Sequence, residues 1–229
     1  MSSAVERVTI PVDDTLRVSG LLQMPATARA GLVLAHGAGA GMGHPFLAAV
    51  ATELAERGIA TLRYQFPYMD QGRKRPDPPA VAHAVVRAAV RQASALLAQL
   101  PLFAGGKSFG GRMTSQAQAQ QPLANVRGLA FFGFPLHPAD RPSQNRGEHL
   151  FDVQIPMLFL QGTRDKLAAL TLIEPLCEAL GQRATLKLFE DADHSFHVRV
   201  RSGSTDAQVR GHLLDALAEW IDAVVARTA

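Results

Sequence analysis

Seven consecutive residues, Gly105-Gly106-Lys107-Ser108-Phe109-Gly110-Gly111, restrict the folding of this chain more than any other stretch. They follow an apolar run, Leu102-Phe103-Ala104, and set one serine between glycines. The pattern Gly-x-Ser-x-Gly predicts a strand that ends in a sharp turn at the serine and continues as a helix, with glycines where a Cβ would strike neighbouring backbone. Such a turn needs a sheet to hold its strand and helices to flank it. The hydroxyl of Ser108 is then held out of the turn as a candidate nucleophile.

Two nucleotide-binding patterns compete for the same glycines and fail on register. Gly106-Lys107-Ser108 resembles the end of a phosphate loop, but the first glycine of that loop would fall on Pro101, which has no N–H to offer a phosphate. After His36, a dinucleotide fingerprint begun at Gly37 and Gly39 needs its third glycine at Met42, and one begun at Gly41 and Gly43 needs it at Phe46. Neither pattern closes.

The rest of the chain alternates strand and helix signals. Val8, Ile10 and Val12, the turn Asp13-Asp14, then Leu16 and Val18 read as an antiparallel hairpin at the sheet edge. Leu32 to Ala35 is a continuous apolar run suited to a strand covered on both faces. A helix is predicted over Pro45 to Arg57, ended by Gly58, with a strand over Ile59 to Leu62. Ala80 to Leu100 reads as a long helix, Leu102 to Lys107 as a strand, and Phe109 to Gln120 as a helix rich in small residues. Strands follow over Val126 to Phe132 and Ile155 to Gln161, then a helix over Leu167 to Leu180 and an edge strand at Ala184, Leu186 and Leu188. Val209, Leu213, Leu217, Trp220, Ile221 and Val224 share one face of a closing helix, which Thr205 and Gln208 start with a capping box. The fold class is therefore α/β, a doubly wound and mostly parallel sheet with an antiparallel N-terminal hairpin, in one domain over residues 1–229. Phe66 to Pro79 and Gly133 to Gln154 are too short for a large lid but long enough to wall a cleft.

Composition narrows the function classes. A formal charge of +3 over 229 residues gives no dominant basic field, which argues against nucleic acid as a partner. Cys177 is the single cysteine, so no internal disulfide and no multi-cysteine zinc site can form, as expected of a cytoplasmic protein. Met1 to Asp14 lacks the basic start and apolar core of a signal peptide, and the apolar helix candidate is broken by His83, Arg87 and Arg91. A soluble chain without a membrane partner is the expectation; self-association is left open.

A serine hydroxyl needs a histidine to take its proton and an acid to orient that histidine. Asp165 follows the strand ending Leu160-Gln161-Gly162, and His194 follows the last strand in Asp191-Ala192-Asp193-His194-Ser195-Phe196. Both fall at the carboxyl edge of the sheet, in the order Ser, Asp, His. Asp191 and Asp193 compete for the acid position, but both stand almost beside His194. Among the other histidines, His83 and His212 fall on helices and His36 precedes a glycine turn, while His137, His149 and His197 lie in or near loops. Ser115 and Ser195 lack the elbow. The two donors for a developing oxyanion are expected to be the backbone N–H groups of Phe109 and Ala38. Arg73-Lys74-Arg75 reads as a solvated loop in preference to a site for an anionic substrate or an acidic partner, and Tyr64, Phe66, Tyr68 and Met69 as either an acyl pocket or packing beneath a loop.

The segments Ala35-His36-Gly37-Ala38-Gly39, Phe66-Pro67-Tyr68-Met69, Gly105 to Arg112, Gly133-Phe134-Pro135-Leu136-His137-Pro138, Gly162-Thr163-Arg164-Asp165 and His194-Ser195-Phe196 together resemble the α/β-hydrolases. More narrowly they resemble the small hydrolase-like family that includes testis-expressed protein 30 and many bacterial hydrolases; the likeness to dienelactone hydrolases is more distant. The resemblance puts Ser108, Asp165 and His194 at the nucleophile, acid and base positions. It implies a carboxylesterase-like serine hydrolase that works through an acyl-enzyme on a small-molecule ester, with no metal or organic cofactor. The other expectation is a binding or scaffold protein that keeps the fold with negligible turnover.

Overall fold

The computed structural model describes residues 4–228. The first three residues of the Met1 to Asp14 start, and the last of the 1–229 span, lie outside the described residues.

Eight strands form one sheet: β1 (Val5–Pro11), β2 (Arg17–Gln23), β3 (Ala30–Ala35), β4 (Ile59–Tyr64), β5 (Leu102–Lys107), β6 (Val126–Phe132), β7 (Met157–Gly162) and β8 (Ala184–Phe189). Their order is β1-β2-β4-β3-β5-β6-β7-β8. β1 with β2 and β2 with β4 pair antiparallel, and every other neighbour is parallel. The hairpin turn is local chemistry, since Asp13 Oδ1 accepts from the N–H groups of Thr15 and Leu16 at 2.8 Å each. From β3 the chain builds first toward β4 and then crosses to β5 on the other side. That reversal opens a crevice at the carboxyl ends of the central strands.

The helices are α1 (Pro45–Glu56), α2 (Pro67–Asp70), α3 (Pro79–Leu96), α4 (Phe109–Gln120), α5 (Leu170–Leu180) and α6 (Asp206–Thr228). Side chains alternate across the pleat, so each central strand feeds two cores. Val33, Ala35, Leu62, Phe131 and Phe159 meet the apolar sides of α3, α4 and α5 on one face. Leu32, Leu34, Phe103, Phe132 and Leu160 meet α1 and α6 on the other, with Trp220 edge-on to Phe103 at 5.6 Å. Thr205 N–H donates to Gln208 Oε1 at 2.8 Å and Gln208 N–H to Thr205 Oγ1 at 3.2 Å, completing the capping box.

Of the boundaries that differ from the sequence reading, three have a clear local cause. α3 ends at Leu96, not Leu100, because Leu100 turns back to the Leu97 carbonyl ahead of Pro101, which disfavours helical backbone in the residue before it. β7 starts at Met157, after Pro156, whose missing N–H cannot join the ladder. α5 starts at Leu170, not Leu167, because Asp165 Oδ1 holds the Leu167 N–H at 2.8 Å in a turn. Among the described residues, no helix is long and apolar enough to cross a membrane.

Candidate active site

Ser108 stands between the end of β5 and the start of α4 with φ 50° and ψ −115°. A residue with a Cβ at such angles carries backbone strain of about 1–3 kcal/mol. The surroundings hold it there. A Cβ on Gly106 would come within 2.5 Å of the Ala35 carbonyl oxygen, and one on Gly110 within 2.5 Å of the His36 carbonyl oxygen. Only glycine on either side lets the elbow press against the end of β3. The Ser108 N–H donates to the Phe132 carbonyl at 3.2 Å, which ties the turn to β6.

The loops after β7 and β8 bring Asp165 and His194 to this serine. His194 Nε2 lies 2.8 Å from Ser108 Oγ, and His194 Nδ1 lies 2.7 Å from Asp165 Oδ2. The Asp165 side chain is fully enclosed, so its carboxylate must be satisfied by fixed donors. Besides His194 it accepts from the Leu167 N–H and from Gln161 Nε2. A carboxylate acceptor assigns the imidazole proton to Nδ1, which leaves the Nε2 lone pair for the hydroxyl of Ser108. The rival acids are engaged elsewhere: Asp193 Oδ1 accepts from the N–H groups of Ser195 and His197, and Asp191 occupies a turn at φ 57°.

Lys107 is a member of the site that sequence reasoning missed. Its ammonium donates to the His194 carbonyl and sits 5.6 Å from the centre of the Phe196 ring. Burial pushes its pKa down to about 8, against the opposing pull of Asp165 and Asp193. Gln161, the residue that braces Asp165, was missed as well. The first is the free position of the Gly-x-Ser motif and the second sits within a strand, so neither had a local signature.

The glycine loop after β3 is braced from the side. His36 is buried, its Nδ1 2.7 Å from the Gly37 carbonyl oxygen, and its Nε2 accepts the Phe66 N–H at 3.0 Å. Burial holds its pKa near 4, so it is a neutral brace. The Gly39 N–H donates to Tyr68 Oη at 2.9 Å. Tyr64, Phe66 and Tyr68 are fully buried and pack beneath this loop, so packing is the reading that holds for these three. A Cβ on Gly37 would lie 3.9 Å from the Ser108 Cβ, which places Ala38, exposed at the next position, beside the serine. Phe109 is the first residue of α4. Among the described residues, neither the Ala38 nor the Phe109 N–H has a protein acceptor.

The remaining candidates serve the framework. His137 Nε2 accepts the Ala169 N–H at 2.9 Å, and His197 pairs with Asp206 at 2.9 Å. Ser115 Oγ meets His149 Nε2 at 2.8 Å, a second Ser–His contact, but Ser115 is fully buried. Arg73 pairs with Asp77, and Cys177 packs on α5 with its thiol pushed up to about 12 by burial. Among the described residues, no three His, Cys, Asp or Glu side chains gather as metal ligands. A hollow of about 370 Å³ lined by Arg87, Arg91 and Pro122 lies at the far end of α4, remote from Ser108.

Comparison with known proteins adds the following. A sequence family described as the alpha/beta hydrolase domain matches residues 28–222. A dienelactone hydrolase from Anabaena variabilis superposes with a TM-score of 0.77 at 21% identity, over 96% of this chain and 97% of that one. A lidless α/β serine hydrolase from Xanthomonas campestris superposes at 0.73 with 21% identity, over 96% of each chain. The esterase domain of a Rhodothermus marinus protein does so at 0.71 with 17% identity, over 95% of this chain and 97% of that one.

Proposed function

The chain belongs to the alpha/beta hydrolase domain family, and from that premise we propose that it is a serine hydrolase cleaving a small carboxylic ester through an acyl-enzyme. The observation that carries this reading is the unbroken hydrogen-bonded line from Ser108 through His194 to the enclosed Asp165. His194 Nε2 takes the Ser108 proton as Oγ attacks the ester carbonyl carbon, and Asp165 stabilises the imidazolium that results. The carbonyl oxygen becomes an oxyanion, held by the N–H groups of Ala38 and Phe109; each such donor is worth roughly a hundredfold or more in rate. Collapse of this intermediate expels the alcohol, which leaves with the proton from His194. A water then gives a proton to His194 and attacks the acyl carbon, and Ser108 departs with that proton as the acid is released. An ester of modest size fits a fold without a large lid, and esterases are among the neighbours in structure.

A fluorophosphonate probe tests this directly. Wild type is expected to be labelled at Ser108 and to turn over aryl esters in a chain-length series, and Ser108→Ala to do neither. Absence of Ser108-dependent labelling and turnover would leave a binding protein on a hydrolase scaffold.

A further inference from the structure

Arg112 lies one turn beyond Ser108 on α4, its backbone N–H on the Ser108 carbonyl at 3.1 Å. Residues four apart share a helix face, and helical side chains lean toward the N-terminus, so this arginine is carried toward the elbow. It is half-buried with its Nε fully enclosed, and among the described residues its side chain has no hydrogen-bond or ion-pair partner. Arg146, on the 3-10 turn Asn145–Asp152, is also half-buried and adds its like charge to that of Arg112.

The groups around this pair do nothing to balance it. Burial and the neighbouring Arg112 charge hold His149, from the same turn, near a pKa of 4. Burial and, more weakly, Arg87 and Arg112 lower His83 on α3, which is bonded to Gln116 and Gln120. Both imidazoles are therefore neutral near pH 7. Asp152 is exposed, acts on His149 and pairs with neither arginine. Arginine is rarely enclosed without a carboxylate, because a partly dehydrated cation without a partner is destabilising. α3 follows the wall segment 66–78, and the 3-10 turn belongs to the wall segment 133–154. α4, which carries Arg112, packs against both α3 and this 3-10 turn, so the unbalanced charge sits where the three elements meet.

We propose that Arg112, with Arg146 beside it, receives an anionic group, a carboxylate or a phosphate, carried by the substrate of the Ser108 site. The substrate assignment rests on the ester hydrolysis proposed above; the anion site itself does not. The planar guanidinium fork matches two oxygens of either anion, and its Nη atoms, which are not enclosed as Nε is, are the donors within an anion's reach.

The test pairs two esters of equal chain length, 4-nitrophenyl hexanoate and mono-4-nitrophenyl adipate, with calorimetric titration of free adipate and inorganic phosphate. Wild type is expected to favour the adipate ester at least about tenfold in kcat/KM, and Arg112→Met to lose that ratio. Anion binding should weaken by a similar factor in Arg112→Met and by less in Arg112→Lys, which keeps the charge without the fork. Tighter binding of phosphate than adipate assigns the anion as phosphate, and the reverse assigns it as carboxylate. Thermal unfolding of Arg112→Met at or above the wild-type temperature checks its fold and agrees with removal of an unpaired charge. Equal handling of both esters together with no Arg112-dependent binding of either anion overturns the proposal. Arg112-dependent anion binding without Ser108-dependent turnover supports the anion site and sinks the hydrolase reading instead.

Discussion

Lys107 donates its ammonium hydrogen bond to the main-chain carbonyl of His194, so the residue before the serine grips the residue that faces it. The end of β5 and the loop after β8, whose strands are not neighbours in the sheet, are fastened there. A mutation at Lys107 therefore acts on the position of His194.

The same contact has a pH signature. Burial lowers the Lys107 pKa to about 8, while the unfolded chain keeps its proton to about 10.5. Between those values the unfolded state binds more protons, so wild type gains stability over Lys107→Met as pH rises through this window. The gain is on the order of 3 kcal/mol in all. Urea unfolding on either side of the window measures it, and a flat difference would contradict the enclosed ammonium.

His36 and His149 set the acid limit. Burial lowers each from 6.5 to about 4, so the stability they contribute is present above 6.5 and lost as pH falls toward 4. Each accounts for up to roughly 3 kcal/mol. Thermal unfolding of His149→Gln across this range is expected to be distinctly less acid-sensitive than wild type.

Ser108 pits function against backbone comfort. Ser108→Ala and Ser108→Gly should both lose activity by about 10⁴-fold or more. The glycine variant, free of the penalty at φ 50°, should unfold about 1 kcal/mol harder than the alanine variant. Denaturant titration of the pair decides it.

Asp165→Asn keeps the volume and removes the charge that faces His194 Nδ1. A fall in kcat of about 10⁴-fold is expected, with KM little changed, because the imidazole tautomer is no longer held. Steady-state kinetics on one aryl ester separates the two constants.

Much of this architecture was legible in the chain. β5, α4 and β6 match the sequence reading because each is bounded by a local signal: Pro101, the glycines around Ser108, or an unbroken apolar run. The three residues at Ser108, Asp165 and His194 were legible from strand order, and the structure brings them within hydrogen-bonding reach. What escaped was a local turn and the tertiary contacts. The start of α5 moved because Asp165 Oδ1 takes the Leu167 N–H two residues on, a turn that competes with the first turn of a helix. Lys107 meets the His194 carbonyl far along the chain, and Arg112 and Arg146 come near one another from separate elements, and nothing beside them in sequence announces those meetings.

The cleft walls are rooted in the protein's interior. Phe66, Tyr68, Phe134, Leu136 and Leu150 sink from both wall segments into the core that supports α3 and α4. A wall so rooted is not built to swing open at an oil–water boundary. Turnover of an ester is therefore expected to rise smoothly with freely dissolved substrate, with no jump where micelles form.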